Sequence, residues 1–333
     1  MVNYNKKEDN VIVDESIGIV VIGRNEGERL KRCLKSALKA QYPIVYVDSD
    51  SVDGSVLFAQ SNDILVVKLT KDQPLNAAVA RNAGFKKLIA ENVNIEFVHF
   101  IDADCELAEN WIIQAVRKLD SNDEVSAVCG RLREKNVNES LYTKLCDMSW
   151  YIKPGEVNSC GGIATIKAEI FEKLNGFNET LIAGEEPEFY SRVRKKGYKV
   201  QCLDVFMGTH DCAMTSFGQW WTRTIKTGFG FANAQKWGAW QARQRSIIIW
   251  ALIIPLAILI GSFIEFYFIL FCLIYPTQIF RMTLKSKIPY CFSDKLLNSS
   301  FCVFSKLPQL IGMIKYHFSR LNGKQNINIE YKA

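Results

Sequence analysis

Histidine is scarce in this sequence, three in 333 residues, and no two of its ten cysteines form a C-x-x-C pair or a knuckle-like cluster. Zinc-ribbon and thioredoxin-type readings therefore find no support. The first fifteen residues, MVNYNKKEDNVIVDE, lack the apolar stretch and small-residue cleavage site of a secretory signal. A cytosolic start is expected, with reduced thiols filling the core. Proline and glycine, 8 and 20, are too few for a collagen-like or low-complexity chain, and 48% apolar residues suffice for a folded one. Acidic residues nearly vanish from Thr215 onward, where 14 Lys and Arg face 3 Asp and Glu, against 27 and 32 before it. Such a basic tail suits nucleic acid or an anionic membrane surface equally well.

Residues 246–280, SIIIWALIIPLAILIGSFIEFYFILFCLIYPTQIF, decide for the membrane, since they carry one charged side chain, Glu265. One straight helix would run roughly 50 Å, past a hydrocarbon core of roughly 30 Å, yet the segment is short for two spans of about 20 residues. Arg243 and Arg245 precede it and Arg281, Lys285 and Lys287 follow, so the positive-inside tendency puts both ends on the cytosolic side. A hairpin meets this, turning near Gly261-Ser262 with kinks at Pro255 and Pro276 and Glu265 near the far interface. One long tilted helix is the alternative. The expected location is the cell inner membrane with the soluble part in the cytoplasm, and no nucleic acid partner. Residues 215–245, with Trp220, Trp221, Trp237 and Trp240 among Arg and Lys, suit an interfacial connector. Residues 281–333 form a basic juxtamembrane tail, in which 301–318 read as an interfacial helix or as one packed on the soluble domain.

Residues 16–214 alternate short apolar runs with amphipathic ones. Strands are predicted at 17–22, 44–47, 64–69, 97–101, 126–129 and 199–203, and helices at 26–40, 77–91 and 111–119. This predicts an α/β domain with a mixed, mostly parallel sheet and helices on both faces, preceded by a polar segment, 1–15. Ligands bind such sheets at the carboxyl ends of the strands. Three ends carry chemistry: GRNEGE after the first strand, DSDSVDGS after the second, and DADCE after 97–101. Asp102 and Asp104 leave one face if the strand persists, and two close carboxylates call for a hard divalent cation. D-x-D occurs by chance, as Asp48-Ser49-Asp50 shows, and position after an apolar strand is what singles out Asp102 and Asp104.

In order, VVIGRNEGERL, VYVDSDSVDGS, ARNAGF, FIDADCEL and CGGIATIKAEIFEKLNGFNETLIAGEEPEFYSRVRKKGYKV resemble a family 2 glycosyltransferase of GT-A fold. The tail, with THDCAMTSFGQWWTRTIKTGFGFA and a final IEYK, is similar to membrane-associated members linked to polysaccharide or glycolipid assembly. The resemblance implies inverting transfer of a sugar from a nucleoside diphosphate, with uridine the favoured base, usually with Mg2+ or Mn2+, to a lipid-linked or glycan acceptor. It implies that Asp48 reads the base, with Arg24, Asn25 and Glu26 lining the same pocket and Asp53 shaping it. Arg81 and Asn82 would face the nucleotide, Asp102 the ribose and metal, and Asp104 the metal directly.

By the same resemblance Glu186 stands where the family has Asp and would be the general base, with Glu185 in reserve. Gly161 and Gly162 would let backbone approach sugar or acceptor, or simply turn the chain; Arg192 follows nearby on a helix. His210 would complete the metal shell or make a structural hydrogen bond. His99 reads as a core residue and His317 as a surface one. Arg223 would face the diphosphate; the spacing Q-W-W-T-R departs from the Q-x-x-R-W of processive synthases and favours single transfer. A sugar nucleotidyltransferase and a non-catalytic nucleotide-sugar-binding membrane protein are the rival readings.

Overall fold

A computed structural model describes residues 16–234 and 238–322. Residues 1–15, Trp237, the side chain of Trp240 and residues 329–332 lie outside it. The first half alternates strand and helix: β1 (Ile17–Gly23), α1 (Glu28–Leu38), β2 (Ile44–Asp48), α2 (Ser55–Gln60), β3 (Leu65–Lys68), α3 (Ala77–Glu91), β4 (Phe97–Asp102), β5 (Cys105–Leu107), α4 (Trp111–Asp120) and β6 (Val125–Glu134). Then follow α5 (Leu141–Ser149), β7 (Gly155–Glu156), β8 (Ala164–Lys167), α6 (Ala168–Lys173), α7 (Glu185–Lys195) and β9 (Lys199–His210). The strands form one sheet in the order β3-β2-β1-β4-β8-β6-β9-β5, with β7 on β9. β1, β2, β3 and β4 run parallel, as do β6 and β9, whereas β8 runs antiparallel between β4 and β6.

Burial explains the pattern. β1 is buried on both faces, as its unbroken IGIVVI run requires. Leu30, Cys33, Leu34 and Ala37 form the covered stripe of α1. α3 sits close on the sheet because Gly84 has no side chain; a Cβ there would lie 2.3 Å from Val20 Cγ1. Three strands escaped the sequence reading, since β5, β7 and β8 are four residues or fewer. β6 and β9 outrun their predicted ends, reaching Glu134 and His210.

The second half is helical: α8 (Phe217–Asn233), α9 (Gly238–Ile248), a π-helical turn (Ile249–Ile253), α10 (Ile254–Ile264), a 3-10 stretch (Phe266–Leu273), α11 (Ile274–Lys285), α12 (Phe292–Phe304) and α13 (Lys306–Leu321). The π turn precedes Pro255, whose ring cannot follow an undisturbed α-helix. Two continuous helices, Gln241–Ile264 and Phe266–Lys285, are long and apolar enough to cross a membrane. They fold back on each other: Phe268 fills the space over Gly261, and the Tyr275 hydroxyl donates to the Trp250 carbonyl at 2.8 Å. The break falls at Glu265, with extended φ −141° and ψ 120°, rather than at Gly261-Ser262. Gly261 is instead the close-approach point.

Residues 301–318 span the end of α12 and most of α13. α13 packs on α8, where Gly312 faces the Ile225 carbonyl and Gly228 the Gln309 carbonyl so closely that neither tolerates a Cβ. Trp220 is buried, stacked 5.8 Å from Phe304, so it joins helices rather than facing headgroups.

Candidate active site

The sheet grows in opposite directions from β1, with β2 on one side and β4 on the other, and loops leaving their carboxyl ends meet at this switch point. The loops after β1 and β2 are laced together. Asn25 N donates to Ser51 Oγ (2.9 Å), Val52 N to Asn25 Oδ1 (2.8 Å) and Gly27 N to Asp53 Oδ2 (2.8 Å). Asn25 and Gly27 both adopt φ 51° to make this turn. Beneath them, buried Asp48 accepts from the Tyr46 hydroxyl (2.8 Å) and Ser51 N (2.8 Å). Burial and the Asp48 charge raise the Tyr46 hydroxyl pKa, so it stays a donor. Burial pushes the Asp53 carboxyl up, but donation from the Ser55 hydroxyl and from amides outweighs this and holds it below its ordinary value. Arg24 is half-buried on the same loop, and Glu26 is buried against Arg29 at 3.0 Å.

Arg81 is the hub of the adjoining region. Its side chain is 2% exposed, and α3 brings it under the end of β4. Nη2 donates to Asp102 Oδ1 at 2.8 Å and Nη1 to Glu185 Oε1 at 2.9 Å, with Glu186 Oε1 3.7 Å from Nη1. Burial opposes the guanidinium charge, but Asp102, Glu186 and Glu185 outweigh it. Gly184, with φ 88°, starts α7 so that both glutamates occupy its first turn. Gly162 lies against this cluster: a Cβ there would sit 2.0 Å from Arg81 Nη2 and 2.8 Å from Glu186 Oε1. Gly161, φ 75°, borders open space, and its carbonyl accepts from the Tyr190 hydroxyl at 3.2 Å.

The two central glutamates differ. Glu185 is buried and committed to Arg81, whereas the Glu186 side chain retains 24% exposure. Burial and Glu185 push the Glu186 carboxyl up to about 8 despite Arg81. Burial also raises Glu185, with Arg81 pulling the other way.

Strand geometry does not persist through Asp104. β4 ends at Asp102, and the following turn sends the two carboxylates to different partners, Asp102 to Arg81 and Asp104 to His210. The sheet register explains the second. β5 pairs Cys105 with His210, and β6 pairs Glu134 with His210, so three neighbouring strands bring Asp104, His210 and Glu134 together. Asp104 Oδ2 lies 3.2 Å from His210 Nε2, while Glu134 Oε1 lies 2.5 Å from Nδ1. Burial disfavours a charged His210, but Asp104 and Glu134 push it up to about 10. A carboxylate oxygen and an imidazole nitrogen side by side would suit Mg2+ or Mn2+, whereas the Cys105 sulfur, within 4.8 Å of both, is a soft atom that such an ion would leave aside.

Arg223, on α8, reaches the same region, with Nη1 3.8 Å from Cys146 Sγ. Burial opposes its charge, but Cys146, Cys212, Asp104 and Glu134 raise its pKa. Two expected ligands are committed elsewhere. Asn82, one residue and about 100° round the helix from Arg81, donates to the Phe177 carbonyl (2.8 Å) and Glu179 Oε1 (3.0 Å) and accepts from Phe177 N (2.9 Å). It braces the loop that carries Phe177 and Glu179. Arg192 forks onto Glu188 (2.7 and 2.8 Å) and the Leu174 and Gly176 carbonyls. His99 is a core residue against Thr165 at 3.0 Å, and His317 is exposed.

The model of the family described as glycosyl transferase family 2 matches residues 18–218. The chain belongs to glycosyl transferase family 2. The chain is 28% identical over 137 residues to beta-1,4-galactosyltransferase 6 of Homo sapiens, covering 40% of this chain and 30% of that protein. It is 24% identical over 172 residues to the O-antigen chain rhamnosyltransferase WbaN of Salmonella anatum, covering 47% of this chain and 52% of that one. The chain thus spans about a third and about half the length of these two relatives. Its fold is that of the mannosyltransferase PcManGT from Pyrobaculum calidifontis in complex with GDP-Man and Mn2+, with TM-score 0.57 at 15% identity over 92% of this chain and 88% of that one.

Two members of the candidate site escaped the sequence reading. Tyr46 points inward from β2, and Glu134 closes an apolar run, VSAVCGRLRE. A carboxylate ending a buried strand was the available signal for Glu134.

Proposed function

We propose that this protein is an inverting, metal-dependent transferase. It moves a sugar from a nucleoside-diphosphate sugar, with uridine the expected base, to an acceptor hydroxyl presented at a membrane. One observation carries the reading: the buried Arg81 guanidinium stands 2.8 Å from Asp102 and 3.7 Å from Glu186. A donor-side carboxylate and a candidate base are therefore gathered round one cation. Asp48 and the laced loops after β1 and β2 receive the nucleoside, and Asp102 receives the ribose. Asp104 and His210 would hold the divalent ion, which supplies charge neutralisation for the departing diphosphate. Glu186, raised to about 8, takes the acceptor proton near neutral pH. Attack opposite the departing group inverts the anomeric centre. The Mn2+ named for the mannosyltransferase and the O-antigen chain named for WbaN support the ion and a polysaccharide or glycolipid acceptor. The two apolar helices support membrane attachment.

The test is a panel of UDP-, GDP- and dTDP-sugars given to the full chain in detergent with Mn2+ and a lipid extract. Release of nucleoside diphosphate that Asp104→Asn and Glu186→Gln abolish is the expected result, with an inverted anomer in the product. Pyrophosphate release would indicate a nucleotidyltransferase, and binding without turnover a non-catalytic sugar-nucleotide receptor.

A further inference from the structure

We propose that Glu134 is a positioning residue that locks the His210 imidazole in the tautomer able to bind a divalent cation. The inference rests on the metal reading above and concerns a side chain outside the D-x-D segment. Glu134 is 3% exposed, and three groups converge on its two oxygens. Trp150 Nε1 donates to Oε1 at 2.7 Å and Cys212 N donates to Oε2 at 3.1 Å. Both are obligate donors, so the carboxylate serves them as an acceptor.

The third group, His210 Nδ1, lies 2.5 Å from Oε1. Facing an acceptor, it must carry the proton. Nε2, 3.2 Å from Asp104 Oδ2, is protonated as well while no cation is bound; a cation held by Asp104 would displace that proton, and because Glu134 keeps the proton on Nδ1, Nε2 is the nitrogen left to bind it. The Trp150 ring, 4.8 Å from the imidazole, limits rotation of His210. Carboxylate, histidine and the nitrogen facing Asp104 would thus form the chain that raises ligand basicity in metal sites.

Glu134 also lies within 4.8 Å of the Cys146 and Cys212 sulfurs. That group is a weaker candidate for a cation, because Glu134 is already committed to its three donors. Glutamine at 134 would keep the volume, but it presents an amide N–H toward one of those donors and carries no charge.

The experiment measures Mn2+ binding to the full chain in detergent by electron paramagnetic resonance, without donor or acceptor. Glu134→Gln should weaken the Mn2+ Kd by about 10- to 100-fold, and should add little to the loss in a His210→Ala background. The 15N spectrum of histidine-labelled protein, which has three histidines, gives a second readout. With Mg2+ bound, the wild type should show His210 protonated at Nδ1 only, and Glu134→Gln should lose that uniform tautomer. Glu134→Asp keeps the charge but falls one methylene short; it should also weaken Mn2+ and serves if the glutamine variant does not fold. An unchanged Kd in folded variants, or Nε2–H in the Mg2+-bound wild type, would overturn the proposal alone. A wild type that binds no Mn2+ would overturn the metal reading and this proposal together.

Discussion

Arg81 Nη1 and Glu185 Oε1 stand 2.9 Å apart with both side chains nearly inaccessible, 2% and 6% exposed. A buried carboxylate that loses its cation leaves an uncompensated charge, which costs about 3–5 kcal/mol. Arg81→Met should therefore lower stability by that order at pH 8. Without Arg81, burial and the nearby Asp102 charge act on Glu185 unopposed by a cation, and its folded pKa rises further above the unfolded value. The protonated form escapes the cost, so stability is kept at low pH and lost as pH rises through the folded pKa. Thermal melts at pH 5 and pH 8 check this: the deficit should be clearly larger at pH 8.

Gly162 makes a sharper test of the same cluster. A single methyl would meet Arg81 Nη2 at 2.0 Å and Glu186 Oε1 at 2.8 Å, and a guanidinium held by Asp102 and Glu185 has little room to retreat. Gly162→Ala should cut turnover at least tenfold while nucleoside diphosphate still binds. Gly161→Ala meets open space and costs only the strain of φ 75°, about 1 kcal/mol. Parallel turnover and melting curves for the two variants separate them.

The parallel half of the sheet was legible because β1, β2 and β4 are buried on both faces and read as continuous apolar runs. β8, four residues inside CGGIATIK, gave no such run, and its antiparallel pairing with β4 and β6 is a tertiary choice. Arg81, Asp102 and Glu186 were each named from their motifs, but not the fork that joins them, since a side-chain partner 104 residues away leaves no local trace. The internal partners of Asn82 and Arg192 were hidden for the converse reason. Polar residues near a motif look alike in sequence whether they face a ligand or satisfy backbone carbonyls and amides.

Glu186 predicts the pH dependence of the reaction. A general base must be unprotonated, so kcat/KM should rise with pH and fall as pH drops through its pKa, which lies near about 8 rather than the ordinary 4.5. Glu185 sits beside it, so the observed value belongs to the pair. Glu186→Gln should lose at least about 100-fold in turnover and flatten this limb. The raised pKa also means that the folded state favours the protonated form, a stability present below the unfolded value and lost as pH rises through about 8. Glu186→Gln should therefore melt progressively higher than the wild type between pH 5 and pH 9. A pH profile with its acid limb near 4.5 would remove Glu186 from the role of base.

The helix break at Glu265 predicts a side of the membrane. Gln241–Ile264 and Phe266–Lys285 lie back to back, so if both cross a bilayer, their outer ends share one face and residue 265 lies at the other. Phe263, 84% exposed just before the break, suits lipid contact near that far interface. In spheroplasts, a membrane-impermeant maleimide should label Glu265→Cys directly. Cys291, exposed beyond α11, should react only after permeabilisation. A single tilted span would bury position 265 in mid-membrane and bring Cys291 to the outer face, so label on Cys291 in intact spheroplasts would replace the hairpin with one crossing. The aromatic connector and α13, packed on each other through Gly228 and Gly312, would then have to lie on the opposite side from Cys291. Cys291 directly precedes α12, whose Phe304 stacks on Trp220 of α8, an arrangement that favours the hairpin.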